Sequence, residues 1–451
     1  MSVQLLCRMG KLLAIASVLV LQACATSAQK TAGMRNYMEV NRYDLALIEA
    51  EKQLKEDIDG VMENMNVGVL RRLNKDYKGS NEAFQKAKEK IEELYSTSLT
   101  EQAGSVLIND ETISFQGDRF EQVLVHLYMA TNYLNMNQHD SSRVELLQAQ
   151  VKMDEWGEPK DETPFMRYFS GIMFELIGEY DFATVSYRKA LNAYKNTKEK
   201  HGLEPPLQLK YDLLAMLAKM RIWDEYEQYR KEFGFKKSKL PNRKGMGELI
   251  VVFANGMAPQ REQMTFRTWS TELSLNIKVA VPTYPNPPVL LNKPRLSVGN
   301  KYYELETVSN IDGLARSALA EDMPLITTRA IARAVIKKKS EKQAGENGNA
   351  FAQLLMMAIN QGTEIADTRC WSTLPQEFDL ARVYLPQGVH TVLIEVVSPA
   401  GYVVDTIERK IKIKAGAKTV VTKRWVAPEP KVVPIQPVGG QTMQQVKSEK
   451  S

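Results

Sequence analysis

Residues 178–191 read GEYDFATVSYRKAL, and two readings of them lead to different proteins. Ser186-Tyr187-Arg188-Lys189 has the S-x-x-K spacing of a serine nucleophile with a lysine base. The same stretch sets Tyr180, Ala183, Tyr187 and Ala190 three or four residues apart, on one face of a helix. A serine of the first kind needs companion motifs, K-T-G and S-D-N, and neither occurs in the chain. The helical reading needs nothing further, so the stretch is expected to be one helix of a repeat.

Working outward, the pattern recurs. Windows beginning at Val61, Val123 and Pro164 align on internal landmarks. The third carries Gly171, Gly178, Tyr180, Ala183, Tyr187 and Ala190; the first carries Gly68, Tyr77, Ser80, Phe84 and Ala87. The second has Ala130, Tyr133, Ser142, Leu146 and Ala149 at those offsets. Gly171 and Ala183 would let two helices approach closely, with Tyr187 filling the gap beside them and Ala190 admitting the next hairpin. Weaker hairpins flank these windows, around NRYDLALIEAEK at 41–52 and from Tyr211 to Phe233. The pattern resembles the tetratricopeptide repeat, whose roughly 34 residues fold as two antiparallel helices. It departs from it at Asn64, His126 and Arg167, where a bulky aromatic is usual, and by an insert near 105–118.

The resemblance implies that the first helix of each hairpin lines the inner surface of the solenoid. The positions so placed are Leu124, Leu127, Thr131 and Leu134, then Phe165, Tyr168, Ile172 and Leu176. They are too apolar to face water, so something is expected to cover them. The cover could be the C-terminal half, the 97–120 insert, or a segment of a partner protein.

After a Lys-rich stretch at 236–246 with Pro241 and Gly245, the period changes. GELIVVFA at 247–254, SLNIKVAVP at 274–282 and KYYELETV at 301–308 have strand length and composition. A helix is expected from about Asp312 to Lys338, with Pro324 as a break or kink. FAQLLMMAI at 351–359 reads as a second, short helix. HTVLIEVV, YVVDTIERKIKIK and TVVTKRWV then read as antiparallel strands. The fold class is therefore α+β: an N-terminal α-helical tetratricopeptide-like solenoid followed by a smaller antiparallel β domain with one or two covering helices.

The N-terminus carries Arg8 and Lys11 before an apolar run from Leu12 to Leu21 that is too short to span a bilayer. It ends in Leu21-Gln22-Ala23-Cys24, which resembles the bacterial lipobox. That resemblance implies cleavage before Cys24, acylation of its thiol (palmitate among the acyl chains) and of the new amino terminus, and stable anchoring. Ala25 stands where Asp would hold many such proteins at the inner membrane, which implies the outer membrane with the body facing the periplasm, surface exposure remaining open. The expected organisation is a signal peptide at 1–23, a tether at 24–33, repeats at 34–235, a linker at 236–246, the strand-rich domain at 247–427 and a disordered tail at 428–451.

GELIVVFANGMAP, PLITTRAIARAVIK, ADTRCWSTLP and ARVYLPQGVHTV, set after such repeats, resemble a family of functionally uncharacterised bacterial lipoproteins. The resemblance implies a role in envelope or peptidoglycan assembly.

The net charge is +5, and loss of Arg8 and Lys11 brings the body closer to balance, so no nucleic-acid partner is expected. With Cys7 cleaved and Cys24 acylated, Cys370 is alone and no disulfide is expected. His126, His139, His201 and His390 show no metal-ligand spacing, and Gly245-Met246-Gly247 precedes a strand, the wrong order for a phosphate cradle. No catalytic, metal or cofactor residue is assigned. Cys370, in the Asp367–Pro375 loop, reads as a small buried residue beside a packed Trp371 in preference to a nucleophile. Lys337-Lys338-Lys339 reads as a solvated helix end. The leading expectation is a non-enzymatic adaptor that binds an envelope protein. The alternatives are a hydrolase or transferase with a site around Cys370, and a glycan- or small-ligand-binding lipoprotein using the β domain.

Overall fold

The computed structural model describes residues 27–56, 60–105, 115–155, 163–236, 244–270, 275–285, 291–346 and 365–426. The signal peptide expected at 1–23, Cys24, the short helix expected at 351–359 and the tail expected from 428 lie outside them.

Among the described residues ten helices come first, as five hairpins: α1 (Ser27–Glu39) with α2 (Tyr43–Glu56), α3 (Val61–Leu73) with α4 (Tyr77–Ser105), and α5 (Arg119–Asn135) with α6 (His139–Glu155). They continue with α7 (Pro164–Ile177) and α8 (Tyr180–His201), then α9 (Leu207–Lys219) and α10 (Trp223–Glu232). Each hairpin closes with the same turn. One residue takes positive φ (Asn41, Lys75, Asn137, Gly178, Arg221), and the next amide bonds back to the carbonyl five residues earlier, in the Schellman pattern. Those bonds run from Arg42 to Tyr37, Asp76 to Arg71, Gln138 to Tyr133, Glu179 to Phe174 and Ile222 to Leu217, at 2.8–2.9 Å. Recurrence of one turn five times makes the N-terminal half a tetratricopeptide-like array, the two weak hairpins included.

The small residues do the expected packing. A Cβ on Gly171 would come within 2.5 Å of the Tyr187 ring, and one on Gly68 within 2.5 Å of Phe84. Ser186 and Lys189 are engaged apart from each other: Ser186 accepts from Gln150 at 2.6 Å, and Lys189 pairs with Asp154 at 2.9 Å.

One expectation fails at the start of the array. Residues from Ser27 belong to α1, not to a tether, because Ser27, Thr31, Met34 and Met38 recur at helical spacing and are buried. Arg35 also donates to the carbonyl of Ser372 at 2.7 Å, fixing α1 to the C-terminal half.

That half contains β1 (Met246–Asn255), β2 (Glu262–Ser270), β3 (Leu275–Thr283), β4 (Lys293–Val298), β5 (Lys301–Glu304) and β6 (Glu306–Asn310). After α11 (Ile311–Glu346) come β7 (Glu377–Pro386), β8 (Gly388–Val397), β9 (Val403–Ile413) and β10 (Lys418–Trp425). One sheet has the order β10-β1-β7-β6, a second β5-β4-β8-β9, and β2 and β3 form a separate hairpin. Leu249, Val251 and Phe253 of β1 share a core with Leu296, Val392, Ile394 and Val396, so the two larger sheets form a sandwich. Ile277, Val279 and Val281 of β3 pack on Ala330 and Ala334 of α11. Two details differ from expectation. Strand β10 is parallel to β1 and does not continue the antiparallel β8–β9 pair, and α11 runs through Pro324 without ending.

The first sheet is buried on both faces. Ile250, Val252, Phe378 and Leu380 on its far side join the apolar residues of α3, α5, α7 and α9 in one core. The inner surface of the repeats is thus covered by the chain's own β half. Of the candidate partner groove, Leu124, Leu127, Phe165, Tyr168 and Ile172 are buried, and Leu134 and Leu176 are half-buried against the same core. As an open groove for a partner they are corrected: Phe165 stacks on Phe378 of β7 with ring centroids 4.8 Å apart.

Ionic and polar contacts lock this interface. Arg382 of β7, buried, reaches Glu248 at 2.5 Å, Asp212 at 2.8 Å and Glu175 at 3.0 Å. Tyr168 donates to Asp212 and Tyr187 to Glu175, both at 2.7 Å, so repeat packing residues also hold the latch. At a second point the 366–375 loop enters the repeats. Trp371 donates its amide to Glu121 at 3.1 Å, and Thr373 donates to Asn66 from its amide at 3.2 Å and its hydroxyl at 3.1 Å. The Trp371 ring meets Phe84 and Tyr128 edge-on.

Burying acids at this interface, and Asp379 on the opposite face of the first sheet, has a pH consequence. Glu121 is pushed up to about 8 by burial and then by Asp118. Asp379 is pushed up to about 7 by burial and then Glu377, and Asp212 to about 6 by burial, against the pull of Arg382. An acid raised in the folded state holds a proton that the unfolded chain has released, so its contribution is present at low pH and lost as pH rises through the folded value. His201 works oppositely: burial lowers it to about 4, and stability is lost as pH falls below its ordinary 6.5. Above that value Glu121 and Asp379 dominate. The unfolding free energy is expected to fall between pH 6.5 and about 8, by at most about 1.4 kcal/mol per pH unit for each acid, and the melting temperature with it. Glu121→Gln should flatten the slope; a melting temperature that rises over this range would contradict the assignment.

Candidate functional site: a cationic aromatic cleft

Where the repeats and the first sheet part company, beside β10, they leave a cleft of about 250 Å³. Its apolar wall comes from Leu124, Leu127 and Tyr128 of α5, Phe165 and Phe169 of α7, Val252 of β1 and Phe378 of β7. Leu124, Leu127 and Phe165 are thus brought together here, whereas Tyr168 is turned into the Arg382 latch. The mouth is cationic. Arg72 of α3, Lys75 of the α3–α4 turn, Arg409 of β9, and Lys423 and Arg424 of β10 all line it.

These elements place the cations by simple rules. Val252 pairs with Thr422 and Ala254 with Arg424, and paired residues share a face, so Arg424 looks toward the helices. Lys423 is on the opposite face of β10, and Arg409 belongs to the second sheet, so the cleft opens past the edge of β10.

Arg424 is only 7% exposed. It donates to the carbonyls of Ala254 (3.2 Å), Leu374 (3.3 Å), Trp425 (3.3 Å) and Gly256, while its Nε has no hydrogen-bond partner among the described residues. Burial lowers its pKa to about 10. Arg72 donates to Asn132 and lies 5.6 Å from the Tyr128 ring centroid, and burial lowers it too. Burial also lowers Lys423, reinforced by Arg409 and opposed by Asp405, whose carboxylate accepts from the Trp425 indole at 2.8 Å. Among the described residues, none of the five cations forms an ion pair with a carboxylate. Desolvated positive charge without a counter-ion is costly, and an anion seated in the cleft would relieve it. Among the described residues no carboxylate, histidine or thiol lines the cleft.

The remaining sequence candidates are placed elsewhere. Cys370 is buried, and burial pushes its thiol up, away from thiolate character. His126 Nδ1 lies 2.7 Å from Glu145, which pairs with Lys88 at 3.0 Å in the repeat interior. His390 donates to the carbonyl of Pro386 at 2.8 Å. Lys337 is buried, so the lysine run is not a uniformly solvated helix end. Among the described residues no cluster suits a metal ion and no helix is long and apolar enough to cross a membrane. Sequence reading missed Arg72 and Arg424. The visible signal was Lys423-Arg424, two cations ending an otherwise apolar strand.

No family model and no curated protein matches the chain. Among solved structures, it is similar to MamA at 12% identity, over 46% of this chain and 93% of that one, with a TM-score of 0.30. RapI in its apo form is similar at 15% identity, over 48% of this chain and 56% of that one, with a TM-score of 0.33. YrrB, described as a TPR protein with an unusual peptide-binding site, is similar at 14% identity, over 48% and 87%, with a TM-score of 0.28. Superpositions this loose carry no argument, and the repeat assignment stands on the five shared turns.

Proposed function

We propose that this chain is a non-catalytic binding protein of the bacterial cell envelope, tethered by lipid on Cys24 at the outer membrane with its body in the periplasm. It docks a protein partner at the cationic cleft, because its own β half occupies the inner surface of the repeats. The observation that carries this reading is the set of five cations, none paired with a carboxylate among the described residues, around an aromatic cleft. The lipobox-like Leu21-Gln22-Ala23-Cys24 supports the tether, and the phrases shared with envelope lipoproteins support a place in envelope or peptidoglycan assembly.

Photocrosslinking in cells tests both parts. A photoreactive residue at Lys75 or Thr422, both exposed at the mouth, is expected to trap one discrete envelope protein, and the adduct should fractionate with the outer membrane. The same probe at buried Tyr168 should give only intramolecular products. No intermolecular adduct from either mouth position, or an adduct confined to the soluble fraction, would overturn the reading.

A further inference from the structure

The strand that borders the cleft has an unused edge. Among the described residues, strand β10 pairs only with β1, at the end of its sheet. The carbonyls of Ala417 and Trp425 accept from Glu248 and Gly256 on the β1 side. Backbone groups alternate along a strand, so the N–H and C=O of Val420 and Thr422 point to the outer side. Among the described residues no backbone group pairs with them there. Exposed edges are commonly blunted by lysine. Here Lys418 is drawn to Glu175 and Glu248, at 3.2 and 3.4 Å, leaving Val420 and Thr422 as exposed uncharged positions.

Edge and cleft together select an occupant. The outward N–H and C=O groups of Val420 and Thr422 can be met by an extended backbone but not by a helix, whose own backbone groups are bonded internally. An extended segment can lie along β10, send alternate side chains onto Leu127 and Phe169, and set a carboxylate among Arg72, Lys423 and Arg424. Resting on the docking reading above, we infer that the cleft takes an extended, carboxylate-bearing segment of a partner protein, added as a new strand on β10.

Peptides displayed with free carboxyl ends, selected on the full-length mature protein, test this. The expected winners carry acidic residues or a C-terminal carboxylate beside an apolar residue, and bind more weakly as salt rises. Amidated copies of the winners tell a chain end from an acidic side chain, and either supports the inference. Binding should protect the Val420 and Thr422 amides from hydrogen exchange and fall at least tenfold in Arg72→Gln. Because Arg424 caps four carbonyls, its variants test folding as well as binding; the rim double variant Lys75→Glu/Lys423→Glu gives the independent loss. Selection of no peptide, peptides indifferent to these substitutions, or binding without protection at β10 would overturn the inference. So would binding of phosphatidylglycerol vesicles in place of peptides, which would make the anion a lipid phosphate. If crosslinking at Lys75 traps a partner while all peptides fail, strand addition falls and the docking reading stands.

Discussion

Replacing Arg382 by glutamine is expected to cost on the order of 3–5 kcal/mol in urea unfolding, the range for removing one partner from a buried ion pair. The side chain is 2% exposed and is the shared partner of Glu175 on α7, Asp212 on α9 and Glu248 on β1. Glutamine fills part of the volume but leaves three buried carboxylates facing one another, with only half-buried Lys418 near two of them. The hydroxyls of Tyr168 and Tyr187 bond into the same cluster, so the damage should spread into the fourth and fifth hairpins of the array. The loss should shrink as pH falls toward 5, because Asp212, already held up to about 6, takes up a proton and removes one of the opposed charges. Unfolding within 1 kcal/mol of the wild type at pH 7.5 would show that the halves are not latched there.

What was legible in the sequence follows from the range of the interaction. Gly171, Tyr187 and Ala190 meet within one hairpin, so local spacing reveals them, and the close glycine contact is the one expected. The weak hairpins are hard to see because α10 buries no residue at all, while α1 relies on Met34 and Met38 among polar neighbours. The Met34–Met38 step, with Thr31 and Ser27 before it, was still a readable helical stripe. Strand identity was readable for β10, but its partner was not: alternation says that TVVTKRWV is a strand, and nothing local says that it runs parallel to β1. The site was the least legible part. Arg72 and Arg424 sit at opposite ends of the chain and meet only after the β half docks on the repeats. Arg382 left one signal, a charge inside the apolar run FDLARVYL, which in a doubly buried strand needs a partner.

Trp371→Ala is expected to cost about 3–5 kcal/mol, the range for truncating a large aromatic in a packed core. Trp371 is 1% exposed, with its ring centroid 6.0 Å from that of Phe84 and 5.8 Å from that of Tyr128. Its backbone amide is tied to Glu121, so the loop cannot simply slide in to fill the hole. Trp371→Phe should be far milder, under about 1.5 kcal/mol. It keeps a ring between the same two aromatics, and it removes an indole N–H that has no hydrogen-bond partner among the described residues. The pair of variants separates packing from hydrogen bonding at a contact that joins the two halves. The outcome bears on function as well as stability. If alanine costs less than 1 kcal/mol, the loop fills the repeats only loosely, Leu127 and Tyr168 become available to other proteins, and the argument for the cationic cleft as the docking site loses its main support. If the large loss is found, the inner surface is a folded core, and the proposed docking is left to the rim, where Arg72 and Arg424 have no carboxylate partner among the described residues.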